Sequence, residues 1–195
     1  MTRLQGHWWM PRVLLWHDEG MLMPCYELDE VTPDDLTASD RQALLQILIE
    51  LWRTPVREQA YDYTALINQY AQQAPDSVAL HEVTARLLTG CRQWPHATPR
   101  LIHSDLHAGN VWRTEGKWLL LDWEYAAPGN PWLDAVSIDR WLPLTDLEKA
   151  QLWPWLAPWA VPGDPWAHYH QWLQDLDTLW SAAHKVKSDL PQGTD

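Results

Sequence analysis

Two polar stretches near the middle of the chain carry residue types that can do chemistry. The first, HSDLHAGN, runs from His103 to Asn110 and places two His, one Asp and one Asn within eight positions. The second, LLLDWEYA, places Asp122 at the end of an apolar run. Such a concentration of titratable and metal-binding groups next to short apolar segments indicates a site at the ends of strands.

The spacing of these groups favours phosphoryl transfer. A hairpin between the two stretches would bring Asp105, Asn110 and Asp122 to one end of a small sheet. One carboxylate there can accept the proton of an attacking hydroxyl. An amide oxygen and a second carboxylate can hold Mg²⁺ against nucleotide phosphates, because magnesium prefers hard oxygen ligands.

The same residues resemble a known family. HSDLHAGN, LLLDWEYA and the later GNPWLDA together resemble the aminoglycoside phosphotransferase and choline/thiamine kinase family, which is related to eukaryotic-type protein kinases. The resemblance runs from about residue 11 to about residue 180. DWEYA favours the choline and thiamine kinase branch. In its short length and its Trp-rich C-terminal helices, the chain resembles bacterial thiamine kinases.

The resemblance implies a role for each matching residue. Asp105 would be the catalytic base, and Asn110 and Asp122 would be the Mg²⁺ ligands. His103 would brace the catalytic loop, and Asp134 would be a buried carboxylate that braces the same loop. The implied cofactors are therefore ATP and Mg²⁺.

Further positions are candidates for contacts with the nucleotide, the metal or the substrate. The stretch ending in PCYEL matches the entry to an interlobe hinge, where the backbone of Tyr26, Glu27 and Leu28 would meet the adenine. His107 is either a neighbour of the metal ligands or a plain loop residue. Glu124 would help to bind a cationic substrate or a second metal, or else is a solvated or salt-bridged carboxylate.

The expected fold class is α+β: a protein-kinase-like C-terminal lobe, mainly helical with a short catalytic hairpin, plus a remnant N-terminal strand pair. The predicted domains are 1–30 (remnant strands and hinge), 31–187 (helical lobe) and 188–195 (tail). Apolar periodicity and turn residues predict the elements in order. A strand pair within 11–28 comes first, followed by three helices, which start at Ser39 and cover 56–73 and 76–93. Strands at 100–103, 110–114 and 117–122 come next, and the chain ends in helices over 131–141, 145–160 and 165–187.

Composition narrows the possible partners. The chain has 195 residues, of which 46% are hydrophobic, and its net charge is −12. This charge argues against a nucleic-acid partner and suits a small, possibly cationic substrate. Sixteen Trp and no Phe indicate aromatic core positions filled by Trp, of which one or two could stack on a cation.

Without a membrane span or a signal-peptide core, we expect a cytoplasmic protein; its oligomeric state stays open.

One feature departs from the family. The kinase N-terminal lobe carries a Gly-rich loop and a phosphate-anchoring Lys, yet the lysines here, at 117, 149, 185 and 187, all follow the catalytic loop. Arg3 or Arg12 could substitute. Three explanations stay open: a fragment or late-start gene model, a naturally shortened protein that transfers phosphate poorly or not at all, or a lobe completed by a partner or a dimer.

The expected function is ATP-dependent phosphorylation of a small alcohol, with thiamine first and choline second. The alternatives are an aminoglycoside phosphotransferase and a catalytically inactive ligand-binding module of the same fold. A metallophosphoesterase is disfavoured, because the Gly-Asp-x-x-Asp and Gly-Asn-His motifs of that class are missing.

Overall fold

The computed structural model describes residues 6–17 and 20–188, which form two compact units. Within the described residues, the first unit holds the chain up to 59 together with 99–156. The second holds 60–98 and 157–188. The division at residues 30 and 187 expected from the sequence stays a prediction, and residues 189–195 of its tail lie outside the described chain.

The secondary structure is mainly helical with short strand pairs. The helices of the described chain are α1 (Ala38–Arg53), α2 (Tyr63–Gln73), α3 (Val78–Gln93), α4 (Trp132–Trp141), α5 (Asp146–Leu156) and α6 (Pro165–Ser188). The strands pair antiparallel as β1 (Leu15–His17) with β2 (Gly20–Leu22), β3 (Arg100–Ile102) with β6 (Ala127–Gly129), and β4 (Val111–Thr114) with β5 (Lys117–Leu120). The expected mixed class, with an N-terminal strand pair and a short hairpin, is confirmed.

Helix starts differ from the sequence expectation where a side chain caps the helix. The N-cap of α1 is Thr37 rather than Ser39. Its hydroxyl accepts the backbone N–H of Asp40 at 3.2 Å, and the Asp40 carboxylate accepts the backbone N–H of Thr37 at 3.0 Å. Helix α2 begins at Tyr63 rather than at 56, because Asp62 accepts the N–H of Ala65 at 2.9 Å and ends the preceding loop.

The hairpin of β4 and β5 closes with a two-residue turn, as the sequence predicted. Glu115 and Gly116 have φ of 50° and 72°. Two successive positive φ values give the turn whose twist matches that of paired strands.

Both outer edges of this hairpin are covered by the N-terminal part of the chain. On the β4 side, the N–H of Asp29 donates to the carbonyl of Arg113 at 2.8 Å, and the N–H of Arg113 donates back at 3.2 Å. On the β5 side, the N–H of Leu120 donates to the carbonyl of Trp9 at 3.0 Å. These bonds satisfy edge groups that would otherwise face solvent.

Helix α1 supplies much of the core of the first unit. The residues predicted to face inward recur at helical spacing, and all are buried: Leu44, Ile47, Leu48, Leu51 and Trp52. This face packs against β3 and α5. The core therefore lies beside the strand that leads into the HSDLHAGN segment.

Helices α2, α3 and α6 pack together in the second unit. The indole of Trp172 meets α3 with its N–H edge and donates to the carbonyl of Leu87 at 3.1 Å. Gly90 makes this approach possible, because a Cβ there would lie 2.6 Å from the Trp172 ring. The guanidinium of Arg86 also donates to the buried carboxylate of Asp175 at 2.8 and 2.9 Å.

Across the part of the chain that the structure describes, none of the helices combines the length and the apolar character that crossing a bilayer requires.

Candidate active site

The segment from His103 to Asn110, which we call the catalytic loop, connects β3 to β4. Its last three residues form a 3₁₀ turn. The side-chain amide nitrogen of Asn110 donates to the Asp105 carboxylate at 2.8 Å and to the Asp105 carbonyl at 2.9 Å. Because the nitrogen of this amide faces Asp105, its oxygen points away and is left to bind another group.

The carboxylate of Asp105 is half-buried and surrounded by charged groups. Burial raises its pKa above the ordinary value, His107 and the bond from Asn110 lower it, and the charges of Asp122 and Glu124 raise it. The nearest ring nitrogen of His107 lies 3.6 Å from the carboxylate. The structure thus brings four residues into contact or electrostatic range of Asp105: His107, Asn110, Asp122 and Glu124.

Backbone strain is concentrated around this site. Among the described residues other than glycine, positive φ occurs at Ser104 (69°), Asp122 (58°) and the hairpin residue Glu115. Ser104 precedes Asp105, and the N–H of Leu121, just before Asp122, donates to the Asn110 carbonyl at 2.9 Å. Such conformations persist only where the surroundings enforce them, and they are common at functional sites.

His103 links the start of the catalytic loop to the segment that follows β5. Its ring is fully buried, lies 4.5 Å from the ring of Trp123 and contacts the carbonyl of Leu121 through Nε2 at 2.9 Å. A carbonyl only accepts hydrogen bonds, so the proton is assigned to Nε2. Burial lowers the pKa of His103 to about 4, and the ring is therefore neutral at pH 7.

Asp134 holds the opposite side of the same loop. It lies in the first turn of α4, is fully buried and accepts the backbone N–H of His103 at 3.1 Å and of Ser104 at 2.9 Å. The indole of Trp52 donates to it at 3.1 Å. Burial raises the pKa of Asp134 to about 6, against the effect of these donors.

The predicted hinge residues lie beside the hairpin. The hydroxyl of Tyr26 accepts the backbone N–H of Arg12 at 2.8 Å, and Glu27 and Leu28 are exposed. Within the described chain, no backbone–backbone hydrogen bond joins residues 26–28 to another segment. The pairing of the next residue, Asp29, with β4 connects this stretch to the strand that starts after the catalytic loop.

The donor set at the site suits a hard cation. Asn110 presents its amide oxygen, and Asp122 presents an exposed carboxylate. No group of three or more His, Cys, Asp or Glu able to hold a metal exists among the described residues. Magnesium does not need one, because it binds through one or two protein oxygens together with water and substrate phosphates.

Several indoles around the catalytic loop were not predicted from the sequence. Trp52, Trp112 and Trp141 each donate a hydrogen bond to the loop or to Asp134. From the sequence, Trp was expected to fill core positions, with one or two able to stack on a cation. A signal was present, since Trp112 stands two residues after Asn110.

A comparison with known families gives a match over most of the chain. The model of the phosphotransferase enzyme family matches residues 27–148, a range that includes all the candidate residues except Tyr26. No protein of curated function matches the chain.

Solved structures share the fold at low sequence identity. A choline/ethanolamine kinase family protein from Mesorhizobium loti has a TM-score of 0.68 and 15% identity, over 94% of this chain and 68% of that chain. The choline kinase LicA from Streptococcus pneumoniae has a TM-score of 0.70 and 15% identity, over 98% and 72%. Aminoglycoside phosphotransferase APH(2'')-Ib with bound ADP has a TM-score of 0.65 and 14% identity, over 97% and 73%. These matches confirm the expected kinase-like fold and the resemblance on which it was based.

Proposed function

Because the chain belongs to the phosphotransferase enzyme family, we propose that it transfers the γ-phosphoryl group of ATP to the hydroxyl of a small molecule. The main support is the pair of hydrogen bonds from Asn110 to Asp105, in a loop whose strand pairs with the strand before Asp122. Solved relatives contain bound AMP or ADP, which supports a nucleotide as donor.

Asp105 would accept the proton of the acceptor hydroxyl. The amide of Asn110 fixes one of its carboxylate oxygens and leaves the other free for that proton. A carboxylate positioned within hydrogen-bond reach of the hydroxyl orients it for in-line attack on the γ-phosphorus.

Asn110 and Asp122 would hold Mg²⁺ through their side-chain oxygens. The ion would supply positive charge that neutralises the phosphate oxygens as charge moves toward the leaving group. The chain's own contribution is to fix these oxygens, since the Asn110 amide is oriented by Asp105 and the Asp122 backbone is held in an uncommon conformation.

For the acceptor we name thiamine first, choline or a similar alcohol second, and an aminoglycoside third. The carboxylates of Asp122 and Glu124 near Asp105, and the net charge of −12, favour a cationic molecule. The backbone of residues 26–28 would meet the adenine, and His107 lies 3.6 Å from the Asp105 carboxylate, the proposed catalytic base. We place this reaction in the cytoplasm, with no nucleic-acid partner.

A second candidate is a ligand-binding module of the same fold that does not transfer phosphate. Over described residues 6–17 and 20–30, Arg12 is the single Lys or Arg; Arg3 lies outside the described residues. A kinase of this type uses a cation in that region to hold the nucleotide phosphates. Affinity for Mg-ATP separates the two candidates, because only a working kinase requires it.

The test is transfer of labelled γ-phosphate from Mg-ATP to thiamine, choline or an aminoglycoside. We expect Asp105→Asn, which keeps the shape of the side chain, to lower turnover by a factor of about 10² to 10⁴. Asp146→Asn, at an exposed carboxylate of α5, is the matched control and should leave turnover unchanged. Equal rates for Asp105→Asn and the unmodified chain would contradict the proposal. Absence of both Mg-ATP binding and turnover of any acceptor would favour the second candidate.

A further inference from the structure

The chain contains sixteen Trp and no Phe, which gives its aromatic positions a donor that phenyl rings lack. An indole carries one N–H that donates a hydrogen bond. We propose that Trp52, Trp112 and Trp141 are positioning residues, whose indole N–H groups hold the catalytic loop in its working shape. The catalytic importance of that shape rests on the proposed function; the hydrogen bonds themselves do not.

Trp52 acts on the start of the loop through Asp134. Its side chain is fully buried in α1, and its N–H donates to Asp134 Oδ2 at 3.1 Å. The same carboxylate accepts the backbone N–H groups of His103 and Ser104. A buried carboxylate that loses one donor is less well stabilised in its charged form. Its hydrogen bonds to these two backbone amides therefore weaken.

Trp141 acts on the middle of the loop. It is the last residue of α4, and its N–H donates to the carbonyl of Leu106 at 3.0 Å. Leu106 directly follows Asp105, and its side chain is fully buried. A bond at this carbonyl therefore fixes the peptide next to the proposed base.

Trp112 acts on the end of the loop. It lies on β4, and its N–H donates to the carbonyl of Gly109 at 2.6 Å. Gly109 directly precedes Asn110, whose backbone N–H donates to the carbonyl of His107 at 3.0 Å. Fixing the Gly109 carbonyl thus limits rotation of the peptide that carries the proposed metal ligand.

The three indoles come from α1, α4 and β4, so the loop is tied to three separate elements. A strained residue needs support from its surroundings. Ser104, whose φ is positive, receives it from Asp134, which accepts the Ser104 N–H and is itself bonded to Trp52. Not every buried indole contributes to this role. The N–H of Trp118, on β5, donates to the carbonyl of Asp40 at 3.2 Å, away from the loop.

Phenylalanine variants separate positioning from core filling, because Phe keeps an aromatic ring but has no N–H. We would compare Trp52→Phe, Trp112→Phe and Trp141→Phe with the matched control Trp118→Phe. The first readout is amide hydrogen exchange of the full chain, measured by NMR. We expect about tenfold faster exchange at His103 and Ser104 in Trp52→Phe, and at Asn110 in the other two, because each variant loses one hydrogen bond that holds the loop. The control should leave these amides unchanged.

The second readout is kinetic, with the acceptor that gives turnover. A positioning role predicts a fall in kcat of about tenfold with KM for the acceptor nearly unchanged in the three variants. Measuring kcat under conditions in which all variants have the same free energy of unfolding separates the effect on catalysis from a general loss of stability. If Trp52→Phe fails to fold, the test rests on Trp141→Phe and Trp112→Phe, because both of these residues are partly exposed.

Two results would settle the matter. If the three variants change loop exchange and kcat no more than Trp118→Phe does, the indoles only fill space and the inference is overturned. If no variant and no unmodified chain turns over an acceptor, yet loop amides respond selectively to the three substitutions, the positioning inference stands and the proposed function fails.

Discussion

At the residue scale, the catalytic loop depends on two buried groups with opposite acid–base behaviour. Asp134 is a fully buried carboxylate with three different donors, and His103 is a fully buried ring held neutral. Each would be costly if left without partners, because an unpaired polar group away from water loses its hydration without compensation. Their burial is therefore part of what specifies the loop.

Replacing the Asp134 carboxylate should be strongly destabilising. In Asp134→Asn, the new NH₂ group would face N–H donors that need an acceptor. We expect the free energy of unfolding to fall by about 2–4 kcal/mol, measured by urea denaturation. Asp146→Asn is the control, since Asp146 occupies the first turn of α5 and is exposed. Similar stability for the two variants would show that the hydrogen bonds to Asp134 contribute little.

His103 should make stability depend on pH in a defined direction. Its pKa is lowered to about 4 from an ordinary 6.5, so between these values the unfolded chain binds a proton that the folded chain does not. Its contribution is complete above pH 6.5 and is lost as the pH falls toward 4, by up to about 3 kcal/mol. Asp134, with its pKa raised to about 6, acts in the opposite direction between pH 6 and 3.8.

The comparison that isolates His103 is His103→Gln, which keeps a donor for the Leu121 carbonyl. The difference in unfolding free energy, unmodified chain minus variant, should shrink as the pH is lowered from 7 to 4. Urea denaturation at several pH values measures it. A difference that is constant with pH would mean that the pKa of His103 is the same in the folded and unfolded chains, and a difference that grows on acidification would mean that folding raises it; either result contradicts a buried neutral ring.

The sequence could indicate some residues of this site and not others. Asp105 and Asn110 stand in one loop, five positions apart, so their spacing alone suggests a shared task. Trp52 is separated from Asp134 by 82 positions and lies on a helix whose apolar pattern marks it only as core. Nothing local distinguishes an indole that donates to a loop brace from one that fills space.

At the element scale, the helices are well predicted in their interiors and less well at their ends. The apolar spacing of α1 identified its buried face, because that face is set by a repeat over several turns. Its start depends on one cap, and Thr37 and Ser39 are both good N-cap residues. The structure selects Thr37 because Asp40, three positions later, completes a capping box.

Two alanine substitutions test which residue caps α1. Thr37→Ala removes the hydroxyl that accepts the Asp40 N–H and should lower the unfolding free energy by about 1 kcal/mol. Ser39→Ala lies inside the helix, where Ala is favourable, and should be neutral or slightly stabilising. Thermal or urea unfolding measures both. A larger loss for Ser39→Ala than for Thr37→Ala would restore the start expected from the sequence.

The contact between α3 and α6 should reverse the usual effect of replacing a helical glycine. Gly→Ala inside a helix normally stabilises by up to about 1 kcal/mol. At Gly90 the added methyl would meet the Trp172 ring at 2.6 Å and displace its bond to Leu87. We expect Gly90→Ala to destabilise by about 1–3 kcal/mol in urea denaturation. Thr89→Ala, on the exposed side of α3, is the control, and a stabilising Gly90→Ala would show that the helices have room to separate.

At the scale of the whole molecule, the site residues from 103 to 134 all belong to one compact unit. That unit also holds the hinge stretch and most of the region matched by the family model. The chain covers 68–73% of the length of the three solved structures described above. The fold and the family could be predicted from the sequence, because they depend on apolar patterns along the chain and on the spacing of motifs. The acceptor could not, because it depends on the shape of the pocket, which short motifs do not encode.

The most direct measurement of the central claim is metal-dependent nucleotide binding at Asn110 and Asp122. With ADP and Mn²⁺ in place of Mg²⁺, the paramagnetic ion should broaden the NMR signals of the Asn110 side-chain amide. Asp122→Asn, or removal of the metal by EDTA, should weaken ADP binding by about tenfold or more, because a charged ligand is lost. Unchanged ADP affinity in both cases, with no broadening at Asn110, would contradict a shared metal site and the phosphotransferase mechanism built on it.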